Sequence, residues 1–178
     1  MATLTDLIGR SINAVEKRDA LELRQVSADA LSEAAVEGHR ELILLALIDY
    51  ALSKIMSKIH YQEIDGKFYE KVLGNFREAR EGLKEKTLAS LEEIEDLVIK
   101  LDEKEGSFQN TVMDKARLKK AANLYEKGLS LRRASELTGA DPADVLEYIG
   151  GSKIHEQELK GGGKNAMRLK AAREAFAG

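Results

Sequence analysis

The stretch ARLKKAANLYEKGLSLRRASELTGADPADVLEYIGGSKI, residues 116–154, decides how the C-terminal part of the chain folds. Leu118, Ala121, Ala122 and Tyr125 recur at helical spacing, and Lys127-Gly128 offers the left-handed residue that closes a helix. Ser130 is placed to cap a short second helix, Leu131 to Thr138, with Leu131, Ala134 and Leu137 on its inner face. Gly139 ends that helix. Asp141 caps the next one, and Pro142 occupies its first position, where a missing N–H costs nothing. Val145, Leu146 and Ile149 are expected to face inward, and Gly150-Gly151 to stop the helix. Two short helices joined by a Gly-containing turn have the spacing of a helix-turn-helix. A helical hairpin used only for packing would carry the same signature, so the motif fixes a fold element more firmly than a function.

The rest of the chain is read outward from this unit. With one proline, no tryptophan and no cysteine in 178 residues, the composition predicts an all-α protein without disulfides or thiolate metal sites. Charged residues make up 33% of the chain, which leans toward a thermophile. The opening MATLTDLIGRSINAVEK is too broken by charge for a signal peptide, and no apolar run is long enough for a membrane span. The expectation is a cytoplasmic protein with no membrane partner. The net charge of −3 hides an asymmetry: residues 1–110 hold 15 Lys+Arg against 22 Asp+Glu, and residues 111–178 hold 13 against 9. The second part is the one suited to phosphate.

Leu4, Leu7, Ile8, Ile12 and Val15 form one stripe, predicting a helix from about Asp6 to Arg18 capped by Thr5. An alanine-rich helix follows over 19–37. Residues 40–60 are the most apolar stretch and predict a core helix enclosed by others, with Asp49 and two lysines inside it. Asp65-Gly66 signals a turn. Residues 68–105 predict one long helical region kinked at Gly82: Phe68, Val72, Phe76, Ala79 and Leu83 line its first part, and Thr87, Leu91, Ile94, Val98 and Leu101 its second. Gly106-Ser107 is the candidate domain boundary. Three segments result: 1–106, a helical bundle for partner binding or dimerisation; 107–155, the helix-turn-helix; and 156–178, a joint around Gly161–Gly163 with a tail helix. Helix 40–60 and the stripe over 87–101 offer more apolar surface than a small bundle covers, which predicts a homodimer.

Site chemistry is sparse. GGGK at 161–164 fails as a phosphate loop, because Glu158 stands where glycine is needed and Asn165 where Ser or Thr is needed. His39, His60 and His155 are far apart and offer no metal set or nucleophile–base pair. The sequence therefore predicts no catalytic residues, no cofactor, no metal and no enzyme.

The segment AANLYEKGLSLRRASELTGADPADVLEYIGGSKI resembles the C-terminal helix-turn-helix of small archaeal proteins, and GLSLRRASELTG is similar to the short helix-turn-helix antitoxins. The resemblance covers about the last third of the chain. It implies that the helix after the turn enters the major groove and that basic residues before it hold phosphates. The candidate nucleic-acid contacts are then Lys127, Arg132, Arg133 and Lys153 on the backbone, with Asp144 and Glu147 facing the groove. Base reading usually relies on Arg, Lys, Asn or Gln, so this acidic helix departs from the pattern where it matters most. The functional expectation is a transcriptional-regulator-like adaptor that binds DNA or RNA. The alternative is a protein-interaction module, antitoxin-like or ribosome-associated. A protein partner would find Met167, Leu169 and Phe176 on the tail helix, unless that helix packs on its own domain.

Overall fold

Arg40–Ser57 is the helix around which the others assemble. Leu42 to Ile48, Ala51, Leu52 and Ile55 are buried round its whole circumference, as its unbroken apolar run predicts. The computed structural model describes residues 2–58, 66–104 and 111–151. Within them the chain is all-helical: α1 (Leu4–Lys17), α2 (Ala20–Glu37), α3 (Arg40–Ser57), α4 (Gly66–Glu81), α5 (Lys84–Lys104), α6 (Val112–Glu126), α7 (Leu131–Thr138) and α8 (142–151). The central α3 touches α1, α2, α5, α6 and α7. No helix among the described residues is long and apolar enough to cross a membrane.

Helix α1 begins two residues earlier than the stripe suggested. Thr3, not Thr5, is the cap: its Oγ1 accepts the Asp6 N–H while the Asp6 carboxylate accepts the Thr3 N–H. Asp19 caps α2 by accepting the Leu21 and Glu22 N–H groups, and Gly38 closes it with φ 68°.

The long kinked helix over 68–105 is not formed. The chain breaks at Gly82-Leu83, and α4 and α5 fold back on each other as a hairpin. Glu78 lies near Glu93, and Lys71 near Lys100, along the groove between them. Thr87 stabilises the break by donating from its hydroxyl to the carbonyl of Ala79 at 2.8 Å. Leu83, expected on the inner stripe, is 86% exposed because it sits in the turn. Leu91, Ile94 and Val98 are buried within the chain, as is α3, so both surfaces read as a reason for dimerisation are already covered.

Two cores result. The main one runs from Leu7 to Ala134 and takes in Val112, Met113, Ala116 and Leu124 of α6. The second is small: Ala121, Ala122, Val145 and Ile149, with Leu118, Leu131 and Ala140 packed against them. It holds α8 to α6. The Gly106-Ser107 boundary, His60 and the 156–178 joint and tail lie outside the described residues. Across the first of these gaps, the Asp102 carboxylate accepts the Val112 N–H at 2.6 Å and so ties the end of α5 to the start of α6.

Candidate nucleic-acid interface

The predicted helix-turn-helix is present with its predicted caps. Ser130 Oγ accepts the Arg133 N–H, and Gly139 takes φ 72° while donating its N–H to Ser135. Asp141 Oδ1 accepts the Ala143 N–H at 2.7 Å, with Pro142 opening α8. Val145 and Ile149 are buried, but Leu146 is 52% exposed. The inner face of α8 follows the i, i+4 spacing of Val145 and Ile149, and Leu146 lies one position, or about 100°, off that line. Tyr125, also placed on an inward stripe, is 38% exposed.

The candidate contacts do not converge on one face. Lys127 reaches back to α2 and donates to Ser32 Oγ at 3.1 Å. Arg132 is largely exposed and pairs with Glu136 at 2.8 Å; Arg133 reaches the other oxygen of the same carboxylate at 3.8 Å. The hydrogen bond from Arg132 holds the Glu136 carboxyl below its usual range. Arg133 also approaches Gly38 at the end of α2. Lys127 and Arg133 therefore gather near the C-terminal part of α2, where α6 ends and α7 begins, with Arg132 beside them on α7.

Asp144 and Glu147 lie elsewhere. With Asp114, Lys115, Arg117 and Tyr148 they line a cleft of about 780 Å³ between the first half of α6 and α8. Arg117 is already taken by Glu95 at 2.6 Å. At 100° per residue, the side of α8 opposite Val145 and Ile149 presents Ala143, Glu147 and Gly151. Two small residues and a carboxylate give a base edge almost nothing to read. Lys153 and the tail residues Met167, Leu169 and Phe176 lie outside the described residues. Within them, no three His, Asp or Glu side chains stand close enough to hold a metal ion.

Sequence reading missed a second cationic cluster. Lys54 and Lys58 near the end of α3 meet Lys115 and Lys119 of α6, around a pocket of about 270 Å³ that Tyr50, Val112, Leu118 and Tyr148 complete. The ammonium groups of Lys54, Lys119 and Lys120 lie 5.4, 5.1 and 5.0 Å from the centre of the Tyr50 ring. Lys120 is 4% exposed; burial, and then the neighbouring Lys119, push its pKa down to about 8. Behind it, Asp49 is fully buried. It accepts from Ser11 Oγ at 2.8 Å through one oxygen, and its other oxygen has no partner among the described residues. Burial pushes its pKa up to about 8. The sequence did hold a trace of the cluster: Lys115 and Lys119 are an i, i+4 pair on one helix face, and Lys54 and Lys58 have the same spacing across the end of α3.

No family model, curated protein or solved structure matches the chain.

Proposed function

We propose that the protein is a non-enzymatic, cytoplasmic regulatory or adaptor protein that docks on the phosphate backbone of nucleic acid. The cations at the start of α7 make the contact. The observation that carries this reading is the exposure of Arg132 and Arg133 beside Lys127, within a helix-turn-helix whose caps are all in place. Arg132 is 89% exposed, and a pair so open to water contributes little, so Glu136 yields both arginines to phosphate at small cost. The outward side of α8 carries Ala143, Glu147 and Gly151, so binding is to the backbone rather than to base edges.

The test is a mobility shift with DNA and RNA across a salt series. Replacing Arg132 and Arg133 with Ala should weaken binding to all sequences alike and make the salt slope shallower by about one unit per lost contact. A variant that binds as the parent does would defeat the reading.

A second reading rests on a different observation. Leu146 and Tyr148 are 52% and 37% exposed on α8, beside Asp144 and Glu147. An exposed leucine on a helix that also carries Asp144 and Glu147 suits a basic amphipathic partner, as in an antitoxin-like or ribosome-associated module. Under that reading Leu146→Ala abolishes capture of a partner and the arginine variant does not.

A further inference from the structure

Several arginines of this protein are paired with carboxylates on its surface. Arg10 binds Glu22 and Asp29, Arg40 binds Glu92, Arg77 binds Glu16, and Arg117 binds Glu95. The junction of α3, α6 and α8 instead gathers several lysines around one aromatic ring. No carboxylate among the described residues lies within ion-pair distance of Lys54, Lys115, Lys119 or Lys120, and three of their ammonium groups crowd one tyrosine ring. Asp49, the acid that acts on Lys120, is sealed in the core. Cation–π contact with Tyr50 compensates part of the repulsion. A bound anion would compensate the rest.

The shape of the site limits what that anion is. At about 270 Å³ the pocket seats phosphates and the edge of a ring, with the rest of a small ligand outside it, and does not enclose a polymer. Its walls are mixed: Lys54 and Lys58 from the end of α3, Lys115 and Lys119 interleaved with Val112 and Leu118 on α6, and the partly exposed Tyr148 of α8. We propose that this pocket binds a small phosphorylated ligand of the nucleotide class, with Lys54, Lys115 and Lys119 holding the phosphates and Tyr148, Val112 and Leu118 taking the ring. Tyr148 belongs to α8 and the lysines to α3 and α6, so an occupied pocket fastens α8 to the bundle. The site is separate from the arginine end that the nucleic-acid reading uses, and either can fail without the other.

Thermal unfolding of the full chain tests it, with pyrophosphate and ADP as probes at constant ionic strength and without divalent cations. Both should raise the Tm with increasing concentration, ADP at the lower concentration. Lys54→Gln combined with Lys119→Gln should weaken the apparent affinity roughly tenfold or more, and Lys127→Gln should leave it unchanged. No Tm shift at millimolar probe, or an equal shift in the double variant, overturns the proposal. Equal affinity for the two probes overturns the nucleotide class. Should the double variant fail to fold, amine-reactive labelling of the parent decides. ADP must slow labelling of Lys54, Lys115 and Lys119 and spare Lys127; unchanged labelling, or protection by a short single-stranded oligonucleotide and not by ADP, overturns it.

Discussion

The two cationic regions of this molecule sit at opposite ends of α6 and are built in opposite ways. Lys115 lies in its first turn and Lys119 at its middle, and Lys127 follows its end, about 18 and about 12 Å away at the helical rise. At the α7 end, Arg132 and Arg133 stand in solvent and share Glu136. At the other end, lysines line a pocket beside Tyr50, and Lys54, Lys115 and Lys119 have no ion-paired carboxylate among the described residues. Exposed and loosely paired cations suit a long polyanion whose phosphates pass by. Enclosed, uncompensated ones suit a small discrete anion. The same net charge on a segment thus stands for two kinds of recognition, and burial tells them apart.

The contrast can be broken at its base through α3, which carries Tyr50 and Lys54 and packs against α6 and α7. Ile48 is fully buried there. Ile48→Ala should cost about 2–5 kcal/mol in denaturant unfolding and impair both ends together. A loss at only one end would mean that they do not share a scaffold.

The next effect is on pH dependence. Asp49 keeps its proton up to about 8 in the folded protein, whereas the unfolded chain releases it near 3.8. The folded state therefore holds the extra proton, and stability falls as pH rises through that window. Lys120 acts the other way: its folded pKa of about 8 lies below the ordinary 10.5, so its contribution is present above 10.5 and lost as pH falls through about 8. Asp49→Asn should remove the fall between pH 4 and 8 and leave the variant more stable than the parent at pH 7, by about 2 kcal/mol or more. Urea midpoints measured from pH 4 to 9 check this, and a parent whose stability does not fall over that range would show that Asp49 is ionised in the fold.

A smaller effect sharpens the comparison. Without ligand, Lys54→Gln with Lys119→Gln should stabilise the protein by a few tenths of a kcal/mol, because like charges are removed from around Tyr50. Arg132→Ala breaks an attraction to Glu136 and should not stabilise. Calorimetry of the two variants side by side reads the difference in sign.

The local signals in the sequence were strong where one helix decides the matter. Ser130, Gly139, Asp141 and Pro142 marked α7 and α8 correctly, and the apolar run of α3 marked an enclosed helix. They failed where a second element decides. The stripe through Ala79, Leu83 and Thr87 continues helical spacing, yet α4 gains more by folding onto α5 than by running on, so Leu83 lands in a turn. Asp144 and Glu147 are exposed on α8, and what α8 alone does not show is that they also border a cleft against α6. The lysine pocket joins residues about sixty positions apart, which only the pairing of α3 with α6 brings together.

The division of labour between the two ends is tested most directly by the salt dependence of nucleic-acid binding in two variants. The account predicts that Arg132→Ala with Arg133→Ala lowers the slope of log affinity against log salt by about two units. Lys54→Gln with Lys119→Gln should leave that slope unchanged. A slope that drops in the lysine variant and holds in the arginine variant would contradict it.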